Sequence, residues 1–99
     1  MSISEAPWDG SAANYTPAQW KAACLIDTGE GDPDSKGRYK LPVKTPDGAL
    51  SRAGVHAAAA RLNQTQASPA ARKAAAKKLL GYYRQLKEDA PPSIKTMAS

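Results

Sequence analysis

Twice in this chain a hydroxyl residue stands directly before a proline at the head of an apolar-periodic run, at Thr16-Pro17 and at Ser68-Pro69. A hydroxyl just outside a helix accepts a first-turn N–H, and proline at the first helical position loses nothing by lacking its own N–H. The two pairs therefore fix where helices begin. At the first, Gln19 completes a T-x-x-Q capping box, and Tyr15 and Trp20 have the spacing of a hydrophobic staple across the helix start. This helix is predicted from about residue 17 to Asp27, with a stop at Gly29.

The segment 29–38, with three glycines, a proline and alternating acids, reads as a loop. In 39–52, Tyr39, Leu41 and Val43 alternate with charge, and Pro46-Asp47-Gly48 forms a tight turn before Leu50, which predicts a short, irregular β-hairpin. Pro42 removes a ladder donor, so a strand containing it lies at an edge. Ser51 caps a second helix over about 52–64, with Val55, Ala58, Ala59 and Leu62 on one face. Ser68 opens the longest helix, about 69–88, on which Ala75, Leu79, Tyr82 and Leu86 form a core-facing stripe. At about 100° per residue, Lys73, Lys77, Arg84 and Lys87 gather on the opposite side, and Tyr83 is free to point outward. Pro91-Pro92 ends the helix. The expected fold is mainly α with a small β-hairpin. It is a compact three-helix domain over 15–89 with its hairpin at about 39–51, an extended N-terminal arm at 1–14 anchored only by Ile3 and Trp8, and a C-terminal tail at 90–99.

With 99 residues there is room for one modest core, and much of the 41% apolar share is alanine, with no Phe. That argues against a deep pocket and a small-molecule substrate. No stretch approaches the roughly 18 apolar residues of a membrane span, and the opening MSISEAPWDGS lacks the order of a signal peptide, so a cytoplasmic protein without membrane contact is expected. The single Cys24 falls on the inner face of the first helix, near Trp20 and Ala23, and reads as core packing.

Signs of enzymatic chemistry are missing. His56 has no Cys, Asp or Glu three or four residues away, so neither a metal pair nor a base with its orienting acid forms locally. No G-x-S-x-G, H-E-x-x-H, P-loop or C-x-x-C pattern is present. Glu30, Asp32 and Asp34 alternate as calcium ligands do but lack the later glycine and distal glutamate of an EF-hand, and they read as a solvated loop or a salt-bridging arm. No catalytic residue, metal ligand or cofactor is expected.

Charge is uneven along the chain. Residues 1–34 hold six acids against Lys21 alone, and residues 35–87 hold twelve Lys or Arg against Asp47 alone. Such polarity suits head-to-tail contacts or one basic binding surface. The basic face of the last helix fits an ordinary solvated surface, or else a contact for nucleic acid or an acidic protein surface; no RNP, zinc-finger or helix-turn-helix signature accompanies it.

Tyr39-Lys40-Leu41-Pro42, the turn Asp47-Gly48, the run from Gly54 to Gln64, and Leu79 with Tyr82-Tyr83-Arg84 resemble a small domain of tailed bacteriophages, and Trp8-Asp9-Gly10-Ser11-Ala12 fits the same pattern. That domain is attached to head-maturation proteases and related head-morphogenesis proteins and also occurs alone in short phage proteins. The resemblance spans about residues 8–86 and carries no catalytic residues. It implies a phage setting and a non-enzymatic role near the head, such as decorating or stabilising the capsid, first in the host cytoplasm and then in the virion. The partner is then a capsid or other head protein, met through Trp8 and the Lys73, Lys77, Arg84, Lys87 face. A nucleic-acid-binding accessory protein of packaging or regulation is the alternative reading, and a host-directed interaction protein a third.

Overall fold

The computed structural model describes residues 3–8, 10–29 and 31–99. Thr16 caps helix α1 (Pro17–Ala23) with the full capping box: its hydroxyl accepts the Gln19 N–H at 3.2 Å, and the Gln19 side chain accepts the Thr16 N–H at 2.8 Å. The staple also forms, with the rings of Tyr15 and Trp20 5.1 Å apart and edge to face. Where helix was expected to continue to Asp27, the chain turns extended at Cys24. Strand β2 (Cys24–Asp27) runs antiparallel to β3 (Tyr39–Pro42) in the register Cys24↔Pro42, Ile26↔Lys40 and Asp27↔Tyr39. Leu25 and Ile26 are adjacent in sequence and both buried, which a strand achieves by pointing them to opposite faces.

The turn at 45–48 forms as expected: the Gly48 N–H reaches the Thr45 carbonyl at 2.9 Å, with Gly48 at φ +92° where a side chain would be strained. Beyond it only the bridge Lys44↔Leu50 closes back, so β3 takes its main partner from β2 rather than from the far side of its own turn. β4 (Leu50–Ser51) instead pairs in parallel with β1 (Ile3–Ser4). The N-terminal segment is therefore docked: Ile3 packs against the main core, and a 3-10 turn follows at Ala12–Asn14.

Ser51 caps α2 (Arg52–Arg61), accepting the Gly54 N–H at 3.0 Å, and a 3-10 turn carries the chain on to Gln64. Ser68 caps α3 (Pro69–Gln85) through the Ala71 N–H at 3.1 Å. The residues expected to form a tail are folded: α4 (Pro92–Ala98) starts on the second of the paired prolines and lies along α3, burying Ile94 and Ala98. The fold is thus mainly α with a small antiparallel pair, and the described residues form four helices where three were expected.

Two apolar clusters result. The larger joins Leu25, Ile26, Leu41, Val43 and Leu50 to Val55, Leu62, Ala75, Ala76, Leu79, Tyr83, Leu86 and Ile94. The smaller holds Tyr15, Trp20, Ala23 and Tyr39. Trp20 and Leu79, expected in one core, therefore belong to different clusters. On α3 the buried tyrosine is Tyr83, at 4% exposure, while Tyr82 is half-buried, the reverse of the expected phase.

Ile94 is 1% exposed. Ile94→Ala is expected to lower stability by about 2–5 kcal/mol, as for any buried aliphatic truncation, read from urea melts against the parent. A disordered tail would show no change.

Candidate functional site

The expected contact residues fall into two places. Lys73, Lys77 and Arg84 are all exposed on the side of α3 away from the core, and none makes an ion pair among the described residues. α3 has no acidic residue in its 17 positions, and neither α1, α2 nor α4 has one. Solvated helices commonly interleave Glu with Lys at i and i+4, which relieves repulsion; here Lys73 and Lys77 stand one turn apart with nothing between them to do so.

Lys87 is also exposed, just beyond the helix in the left-handed region at φ +59°. The Lys87 N–H reaches the Arg84 carbonyl at 3.1 Å and the Glu88 N–H reaches the Tyr83 carbonyl at 3.0 Å, the paired bonds of a Schellman stop. Glycine is the usual residue at that position because it has no Cβ to strain. Lysine holds it here, beside the negative end of the helix dipole.

Trp8 lies apart from the stripe, half-buried against the start of α2. A Cβ placed on Gly54 would come within 2.9 Å of its ring, and one on Gly10 within 2.8 Å of its Nε1, so both glycines are needed for the indole to seat. A cleft of about 160 Å³ lined by Trp8, Leu41, Pro42, Ala57 and Arg61 adjoins this seat. The Trp8-x-Gly10 spacing and the lone glycine of α2 are the sequence signals for it. Of the acidic residues near these regions, Asp9 and Glu30 lie outside the described residues. Asp32 accepts the Asp34 and Ser35 N–H groups in a loop turn, and among the described residues no group of three His, Cys, Asp or Glu could hold a metal. No described helix is long and apolar enough to cross a membrane.

Three of the seven described acids, Glu5, Asp27 and Glu88, are tied to arginines. Asp27 receives Arg38 through both carboxylate oxygens, at 2.6 and 3.1 Å. Arg52 is the larger hub. Its Nε meets Glu5 at 2.8 Å, and its Nη1 meets both Glu88 and the Leu86 carbonyl, so that it fastens the N-terminal strand to the end of α3. Glu88 also meets His56 Nε2 at 2.8 Å, and the His56 ring stacks on Tyr83 with centroids 5.8 Å apart. Tyr83 is thus no outward-facing aromatic. The Arg52 and His56 hydrogen bonds hold the Glu88 carboxyl below its usual range, and those from Arg38 and the Gly29 N–H do the same for Asp27. None of this was visible in local spacing.

The His56–Glu88 pair is a histidine with an orienting carboxylate, but no hydroxyl or thiol is hydrogen-bonded to the other ring nitrogen among the described residues. Cys24, half-buried at the start of β2 rather than inside a helix, has its thiol pushed up to about 12 by burial and so stays protonated at neutral pH. No family model matches this chain, and neither does a curated protein or a solved structure.

Because Glu88 and Asp27 are lowered in the folded chain, their contribution is present above the ordinary carboxyl range and lost as pH falls through their folded values. Melting temperature should therefore fall as pH drops below the ordinary carboxyl values of 4.5 and 3.8, and fall less in Glu88→Gln, whose pair cannot be titrated. A variant with the parent's acid profile would exclude the Arg52 hub as the cause. Lys87→Gly is expected to stabilise the chain by up to about 1 kcal/mol by removing left-handed strain, measured by thermal melt.

Proposed function

We propose that this chain is a non-enzymatic accessory protein of tailed-phage heads, which acts by adhesion to the capsid or another head protein and travels with the virion. The observation that carries this reading is the acid-free stripe of Lys73, Lys77 and Arg84: it stands exposed and makes no ion pair among the described residues, while three of the seven described acids, Glu5, Asp27 and Glu88, are held by arginines of the same chain and the other four lie in loops and turns off α3. A single-sign surface with no counter-charge on its own helix is suited to complementary charge elsewhere, and it sets orientation and encounter rate. The positions that carry the phage resemblance support the reading in another way. Gly54 seats Trp8, Val55, Ala58, Ala59 and Leu62 are buried, and Tyr39 and Leu41 line the two cores. The positions quoted for the resemblance are thus spread over the packed body of the chain and are not one short motif.

On this reading Lys87 extends the stripe past the end of α3, where a glycine would hold the turn with less strain. Trp8 adds an aromatic edge at the rim of its seat, a residue type that often anchors contacts. The test has two parts. Mass spectrometry of purified virions should find the chain, and in co-sedimentation with isolated heads the Lys77→Glu/Arg84→Glu variant should bind at least about tenfold more weakly, with the difference shrinking as salt is raised. Absence from virions together with no head binding overturns the proposal.

A further inference from the structure

A second basic feature lies beside the stripe. Between α1, the start of β2 and α3 runs a shallow groove of about 380 Å³, lined by Lys21, Ala22, Cys24, Lys78, Gly81, Tyr82 and Gln85. One wall supplies Lys21 from the last turn of α1, and the other supplies Lys78 from α3; both ammonium groups are exposed and without an ion-pair partner among the described residues. No lining residue is acidic, and Asp27, whose carboxylate interacts with Lys21 through space, is already held by Arg38. Tyr82 is half-buried in the groove, its hydroxyl hydrogen-bonded to nothing among the described residues, and burial raises its pKa, so the phenol is neutral at physiological pH. Gly81, the only glycine of α3, leaves open space on the groove side: a Cβ built there would meet nothing within 4 Å.

We infer that this groove binds single-stranded nucleic acid, with Lys21 and Lys78 on successive phosphates and a base stacked on the Tyr82 ring. The two lysines supply what a phosphodiester backbone needs, positive charge on both sides of a narrow track, and an aromatic floor supplies what only an unstacked base can use. A duplex keeps its base faces covered and cannot stack them on the ring. Gln85 adds a donor and acceptor at one end without imposing a sequence. An acidic peptide shares the charge but gains nothing from the ring. This inference goes beyond the adhesion reading and uses different residues from the stripe, so either can fail alone.

The experiment is fluorescence anisotropy of the full chain with a fluorescein-labelled oligothymidylate, as a function of salt. Tight binding at low salt is expected, with the logarithm of affinity falling linearly against the logarithm of salt. Lys21→Gln/Lys78→Gln should reduce that slope by about 1.4, since each single-strand phosphate contact contributes about 0.7. Both changes lie on exposed side chains, so folding should survive them. Tyr82→Leu should weaken binding about tenfold or more with the slope unchanged, and Tyr82→Phe should restore it, because stacking needs the ring and not the hydroxyl. The inference is overturned by an unchanged salt slope in the double lysine variant, by a folded Tyr82→Leu variant that binds as the parent does, or by a polyglutamate of equal charge that competes as well as the oligonucleotide.

Discussion

The larger core of this fold is arranged against one face of α3. Ala75, Ala76 and Leu79 are fully buried there, and Tyr83 and Leu86 complete the same strip. The two alanines matter as much as the larger side chains, because a methyl group lets another element approach the helix axis closely. β2, α2 and α4 all pack on α3, so a single helix phase decides which residues of the chain share a core. It also decides the outer surface. With Tyr83 inside and Tyr82 at the edge, the lysines at 73 and 77 and Arg84 have only solvent to face, and Lys78 is turned toward α1.

Charge is sorted by the same geometry. The described acids sit in strand ends, loops and the turn after α3, and the helices carry none. This is what makes the arginine pairs structural: Arg52 joins Glu5, 47 positions away, and Glu88, 36 positions away, across the gap between the N-terminal strand and the end of α3. Exposed ion pairs contribute little individually. Their effect here is positional, since a two-residue parallel pairing has few hydrogen bonds of its own, and Ile3 and Arg52 together keep it in register.

What could be read in the sequence follows the range of the interactions. Caps at Thr16, Ser51 and Ser68 are contacts across three residues, so the chain displays them locally, and all three form. The run Cys24-Leu25-Ile26 is apolar under either a helical or an extended reading, and only its partner Tyr39–Pro42 decides between them. Pro91-Pro92 reads as a helix terminator because proline both ends and begins helices; that Pro92 begins one depends on Ile94 finding the core beside α3. Tyr82 and Tyr83 differ by about 100° around the helix, so a stripe drawn through either fits the spacing, and the choice is made by His56, which stacks on Tyr83 from α2. Of the candidate contact residues, the exposed basic positions were legible from periodicity. The Trp8 seat left only its glycines as a trace, and joining them needs the fold, because the seat depends on what a glycine 46 positions away leaves empty.

The basic stripe does not help the chain to fold. Like charges one turn apart on a helix are destabilising by about 0.2–0.5 kcal/mol per pair, and Lys73 and Lys77 stand in that relation with no acid on α3 to relieve them. Lys87 adds left-handed strain at the helix stop, where glycine would be relaxed. Capping, core packing and the arginine pairs all work in the same direction, toward a single stable arrangement, while these cations work against it. Local rules broken without a compensating contact inside the fold concentrate at functional positions. Here the breaches lie along α3 and at its stop and share one sign of charge; on the adhesion reading proposed above, the compensation they lack internally is a negative surface presented from outside.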